Sequence, residues 1–420
     1  MRDLRPIASL PLAPAGHRSA CGTWRSGLHR AGATLGAMFL LGGIASAPAS
    51  AEDSPPSVRR PLPGTPAFRA TLPEGRRVRV FVVGHKQLLD DALSIERFRA
   101  KMRALVDRTE RSGEARVQAD LDDVASHLAP HDPSAPATAV VHFPEGTGLV
   151  AALIGSRGAA ARSAATAFDA FAGLLGSYAD PIAYYDERFP SLAGQPIRAL
   201  QLALTDLLYR SVYETFREIA LRYGIYVSVN LDAARARRIE AADDPGLVRR
   251  LADPDVPDPS YAYVATSDLP RNIVWLFAPD GEVLAPDGRG GLVRSPSQSG
   301  GEIVPSAEKV YLTPIEQTLD KPGGGLSLAS ASARDLEVLP TEVGAIGVVI
   351  SKDAWMVDVN ERLEAKGADF LLQSEAFDQW AFVADPWAPD GFLQGGWFQL
   401  QAKAGFLFNA TPSLTGNLFD

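Results

Sequence analysis

The sequence predicts an α/β fold, and three observations carry that reading. Short apolar runs of strand length alternate with segments of helical periodicity along most of the chain. The run V-G-A-I-G-V-V-I, residues 343–350, breaks into Ser351-Lys352-Asp353, as a buried strand does when it delivers a polar residue to a site. Residues 358–374 then read as a helix, a glycine stop and a second buried strand. Val343, Ile346, Val348, Val349 and Ile350 suit a strand covered on both faces, and Gly344 and Gly347 permit close backbone approach.

In chain order, residues 1–51 read as a secretory signal. Arg18, Arg25, His29 and Arg30 precede an apolar run, Ala31 to Ile44, and small residues end at Ala49-Ser50-Ala51. The run is shorter than the ~20 residues of a membrane span. A secreted or periplasmic chain cleaved after Ala51 is the expectation. Loss of the segment removes five arginines and one aspartate, taking the formal charge from −9 to −13. A chain that acidic has no electrostatic case for nucleic acid. It also loses its one cysteine, Cys21, and with it disulfides, thiolate metal sites and a thiol nucleophile.

Residues 52–75, rich in Pro, Ser and Arg, read as a linker, and one domain is expected over 76–420. It opens with a strand over 76–84 and a helix over 91–108, with Leu93, Phe98, Met102 and Leu105 at helical spacing. The strand over 138–145 stops at Pro144 and leaves Glu145 at its carboxyl end, where open α/β sheets carry their sites. The following sixty residues, rich in Ala, Gly and Ser, show no pattern. A helix over 205–223 and a strand over 224–230 continue the rhythm. Residues 232–262 read as a charged surface excursion, 272–284 as a hairpin around Pro279-Asp280-Gly281, and 290–301 as a Gly/Ser loop.

No nucleophile elbow, P-loop or dinucleotide fingerprint occurs, so no cofactor is expected. No histidine lies beyond His142, and His127 and His131 are separated by Pro130, so no metal site is expected either. Three polar residues remain beside apolar segments: Glu145, Lys309 and Ser351. Lysine is scarce, seven of 41 basic residues, which draws attention to Lys309; a solvated surface charge is the plain alternative.

The order F-P-E at 143–145, K-x-x-L-x-P-x-E at 309–316, and a strand carrying Ser351 and Asp353 before a helix and G-A-D-x-L-L resembles the nitrilase, or carbon-nitrogen hydrolase, superfamily. The resemblance implies an αββα sandwich, commonly paired through its sheets into a dimer, and a Glu-Lys-Cys triad acting on a small amide-like substrate. By position, Glu145 corresponds to the general base, Lys309 to the cation that stabilises the tetrahedral intermediate, and Glu316 to an additional carboxylate near the site. Ser351 stands where the family has cysteine. The sequence ends at Asp420, where the family continues through further strands, so two expectations stand: the sequence is cut short there, or the sandwich lacks those C-terminal strands and its sheet closes differently.

The serine changes the chemistry required. A thiol of pKa ~8.5 is within reach of a raised carboxylate base, whereas a hydroxyl is far less acidic. Serine nucleophiles usually have an imidazole or amine beside them. Lys309 would serve if burial depressed its pKa, against the pull of Glu145. Lys352 is a second candidate amine, and its backbone N–H stands where an oxyanion donor is expected. Two readings follow: an exported hydrolase of non-peptide C–N bonds using Glu145, Lys309 and Ser351, or an inactive homologue that binds a small molecule.

Overall fold

The computed structural model of the chain describes residues 78–107, 139–289, 291–296, 300–317, 325–376, 400, 403 and 405–414. All fall within the unit Gly64–Asp420. The expected signal, the Pro-rich linker and the His127/His131 pair lie outside the described residues.

The first strand, β1 (Arg79–Val82), is followed by α1 (Ile95–Val106), whose Phe98, Met102 and Val106 are buried and whose Ser94 caps the first turn by accepting from the Arg97 N–H. β2 (Ala139–His142) runs parallel to β1 and to β3 (Tyr226–Ala233). Between β2 and β3 the patternless stretch is helical: α2 (Gly155–Arg162), α3 (Ala167–Ser177), α4 (Ala179–Arg188) and α5 (Pro196–Ala203). The expected helix over 205–223 runs as α6 (Thr205–Leu208), a π turn over Tyr209–Tyr213, and α7 (Glu214–Tyr223), closed by Gly224 at φ +60°.

Residues 232–262 correct the expectation of a surface excursion. They form β4 (Ala236–Glu240), α8 (Pro245–Leu251) and β5 (Tyr261–Ala265), with β4 and β5 antiparallel. The charges that suggested a loop lie on the solvent side, where Arg237 and Arg238 are exposed. The buried Asp206 on α6, 2.7 Å from Arg210, holds this segment by accepting from the N–H groups of Asp253 and Tyr263, each at 2.8 Å.

β6 (Arg271–Phe277) and β7 (Val283–Pro286) make the expected hairpin. β8 (Leu292–Ser295) pairs with β7, so part of the expected Gly/Ser loop is strand. The chain continues through β9 (Glu302–Ile303), β10 (Ala307–Glu308), β11 (Leu339–Thr341), β12 (Gly344–Ile350), α9 (Val357–Ala365), β13 (Phe370–Ser374) and β14 (Phe408–Ala410). β12 and β13 are buried along their whole length and pair in parallel through α9, as expected.

Strand order in the larger sheet is β1-β2-β3-β6-β7-β8, with β10 also on β6; in the second it is β11-β12-β13-β14. The period-2 alternation of strands assigns the layers. Ala139 and Val141 of β2, with Ile273 and Trp275 of β6, enter a core shared with the helices. Val140, Val274 and Leu276 point the other way, into a second core with Ile346, Val348 and Leu372. The two sheets therefore face each other with helices outside them, α9 contributing Val359 and Leu363 on the far side. The fold is a mixed α/β sandwich in the order helix, sheet, sheet, helix.

Candidate active site

Four strand ends converge on one polar cluster. Glu145 follows β2, Lys309 follows β10, Asn272 opens β6, and Ser351 follows β12. The hydrogen bond from Lys309 N–H to the Asn272 carbonyl, 2.8 Å, sets β10 beside β6 and aims the lysine inward.

Lys309 Nζ donates to Glu145 Oε1 at 2.8 Å and to Glu316 Oε1 at 2.9 Å, and its side chain is only 1% exposed. A solvated surface charge is therefore excluded for this residue. Asn272 Nδ2 donates to the same two oxygens, 2.8 Å each, and its Oδ1 accepts from Asn230 Nδ2 at 2.6 Å. Asn230 Oδ1 in turn accepts from the Gly146 N–H at 2.7 Å, fixing the turn after Glu145. Thr313 supplies both its N–H and its hydroxyl to Glu316 Oε2, at 2.7 and 2.8 Å.

Ser351 begins a 3-10 turn, Ser351–Trp355, with φ +48°. The left-handed conformation costs a non-glycine residue about 1–2 kcal/mol, and such outliers collect at functional sites. Asp353 fixes the turn, its carboxylate accepting from the Val310 and Tyr311 N–H groups at 3.0 and 2.7 Å. The second candidate amine, Lys352, sends Nζ to the Leu312 carbonyl at 3.4 Å. Ser351 itself lies against the carboxylate of Glu375, which is fully buried at the end of β13. The neighbouring Ala376 N–H donates to Glu145 Oε2 at 3.1 Å, joining both halves of the cluster.

Electrostatics assign states to these groups. Burial alone would lower the Lys309 pKa, but Glu145 and Glu316 outweigh it and raise the pKa above the ordinary value. Lys309 therefore stays protonated, and the depressed pKa that a base at this position would need is not met. Burial pushes Glu316 up, yet Lys309, the Thr313 N–H and Asn272 together bring it below the usual carboxylate value. Burial, aided by Glu145, raises Glu375 to about 8 against the opposing pull of Gln373, Lys309 and Ser351. Burial likewise raises Asp353 to about 7.

Of the residues the sequence singled out, Glu145, Lys309 and Glu316 are in direct contact, while Ser351 lies beside Glu375. Asn230, Asn272 and Glu375 were missed. Asn230 and Asn272 stand at the ends of the sequence-read elements 224–230 and 272–284, which was the available signal, although Asn230 lies inside β3; Glu375 had no such local signal.

No family model matches the chain, and no curated protein does. Solved structures do. A carbon-nitrogen hydrolase from Helicobacter pylori G27 aligns at 11% identity over 73% of this chain and 63% of that one, TM-score 0.33. A mutant of the Nesterenkonia AN1 amidase, from the nitrilase superfamily, aligns at 12% identity over 83% and 80%, TM-score 0.37. The C. elegans NitFhit protein aligns at 16% identity over 51% and 39%, TM-score 0.28. The chain thus spans under two thirds of the Helicobacter protein's length.

Proposed function

We propose that this chain hydrolyses a small amide or related C–N bond through an acyl-enzyme on Ser351. The observation that carries the reading is the Lys309 ammonium, clamped at 2.8 and 2.9 Å between two buried carboxylates, on a segment that Asp353 of the Ser351 turn grips through the N–H groups of Val310 and Tyr311. A buried, permanently charged lysine is an electrostatic clamp for an oxyanion, and it costs little reorganisation because its partners already fix it.

In this scheme Ser351 Oγ attacks the amide carbon while a carboxylate takes its proton. The Lys309 ammonium and the Lys352 backbone N–H stabilise the tetrahedral oxyanion. Collapse breaks the C–N bond, the proton passes to the departing nitrogen, and water then hydrolyses the Ser351 ester to release a carboxylic acid. Glu316 and Asn272 hold Lys309 in place. The apolar run 31–44 and its A-S-A ending support export of the chain.

The test is ammonia or amine release by the purified full-length chain from a panel of simple aliphatic and aromatic amides. Turnover abolished by Ser351→Ala supports the scheme; turnover that survives it removes Ser351 from the mechanism. No turnover, with ligand-dependent thermal stabilisation instead, favours a binding protein.

A further inference from the structure

The scheme above leaves open which carboxylate takes the serine proton. By family position that task falls to Glu145. Its oxygens are already engaged, however: Oε1 accepts from Lys309 and Asn272, and Oε2 accepts from the Ala376 N–H. These three donors fill three of the four lone-pair positions of the carboxylate and hold it toward Lys309.

Glu375 is placed differently. β12 and β13 run parallel with Ile350 opposite Ser374, so the next residues, Ser351 and Glu375, leave the sheet side by side. The Ser351 hydroxyl stands near enough to the Glu375 carboxylate to favour its ionised form. Gln373 Nε2 occupies Glu375 Oε1, while Oε2 is buried with no donor among the described residues, and so is open to a hydroxyl proton. Gln373 is itself held by Asn409 Nδ2 at 3.2 Å. The Glu375 backbone is pinned on both sides, donating to the Pro412 carbonyl and accepting from the Leu414 N–H, each at 3.2 Å. A side chain so fixed needs no rearrangement to meet the hydroxyl.

We propose that Glu375 is the general base for Ser351, and that Glu145 instead keeps Lys309 charged and in position. This rests on the reading of the chain as an amide hydrolase. Glu375 accepts the Oγ proton as the Oγ–C bond forms, then returns it to the amide nitrogen as the C–N bond breaks. In the second half it takes a proton from the attacking water and delivers it to Ser351 Oγ as the ester cleaves, so the enzyme is regenerated without a co-reactant. The titratable and polar groups facing Glu375 are Glu145, Lys309, Ser351 and Gln373, with His142 of β2 against the Gln373 backbone. Burial and Glu145 weaken its acidity, which makes its ionised form a stronger base than an ordinary carboxylate.

The experiment compares the full-length chain with Glu375→Gln, Ser351→Cys and the double variant on whichever amide of the panel is turned over, between pH 6 and 10. Glu375→Gln is expected to lower kcat by roughly a hundredfold or more, with KM within a few-fold, and to remove an alkaline-rising limb near pH 8 from the wild-type profile. In the Ser351→Cys background the same change is expected to cost less than about tenfold, because the thiol ionises more readily. Circular dichroism and thermal melting establish that each variant is folded. Wild-type turnover with a Glu375→Gln variant that keeps both its rate and its alkaline limb overturns the assignment while leaving the hydrolase reading intact. Absence of turnover by the wild type and by Ser351→Cys overturns both.

Discussion

Asp353 grips the backbone just beyond Lys309, accepting from the Tyr311 N–H at 2.7 Å and from the Val310 N–H at 3.0 Å. This contact ties the Ser351 turn to the segment that carries the cation. Asp353→Ala leaves two N–H groups without their acceptor, and stability is expected to fall by about 2 kcal/mol. The distance between Ser351 and Lys309 is then no longer fixed, so kcat is expected to drop about tenfold or more. Chemical denaturation and steady-state kinetics check the two effects separately.

Lys309 separates two carboxylates that would otherwise face each other in a buried site. Lys309→Met removes the shared cation and is expected to cost about 3–5 kcal/mol, with loss of turnover. Lys309→Arg is not expected to rescue activity, because the planar guanidinium cannot occupy the point between Glu145 Oε1 and Glu316 Oε1. Urea denaturation of the two variants alongside the wild type measures this.

Stability is expected to depend on pH in a defined direction. Glu375 and Asp353 have folded-state pKa values raised to about 8 and about 7, so their contribution is full below the unfolded carboxylate values and is lost as pH rises through 7 to 8. His142 and His85, buried and lowered to about 3 and about 4, act in the opposite sense; their contribution is present above the unfolded value of 6.5 and is lost as pH falls through the folded values. Between these limits the two sets oppose each other, and above pH 6.5 only the carboxyls still titrate. The melting temperature is therefore expected to fall from pH 6.5 to pH 8.5, and the fall should be smaller in Glu375→Gln. A differential scanning fluorimetry series over that range suffices.

Gly148 marks the close approach of the loop after Glu145 to β3. Its N–H donates to the Asn230 carbonyl at 3.1 Å, and an added Cβ would stand 2.5 Å from the Leu231 Cβ. Because that neighbour is the base of a side chain, relief requires backbone movement, and Gly148→Ala is expected to cost about 1–3 kcal/mol. The shift also displaces Asn230 from the Gly146 N–H, so a raised KM or lowered kcat should accompany the loss.

Legibility of the sequence followed how far each element's signal was local. The β12-α9-β13 unit was readable because V-V-I and F-L-L are buried on both faces and Gly367 marks the helix stop. The helices over 155–203 were not: in α2 the alanines and glycines lack the contrast of large apolar and charged residues that makes a period visible, and α4 and α5, which have it, run only ten and eight residues. β4 was hidden for the opposite reason: Arg237 and Arg238 lie exposed on it, so the strand reads as a charged loop. Glu145, Lys309 and Ser351 stood out as polar residues interrupting apolar runs. Glu375 did not, since its role depends on the parallel register that sets residue 375 beside residue 351, a long-range relationship with no trace in local spacing.

The central claim is that Ser351 carries the acyl group. Its most direct measurement is mass spectrometry of the full-length chain, acid-quenched during turnover of an amide substrate and digested into peptides. The account predicts an acyl adduct on the peptide containing Ser351, absent from Ser351→Ala. Sustained amide hydrolysis by Ser351→Ala, or an adduct on another residue, would contradict it.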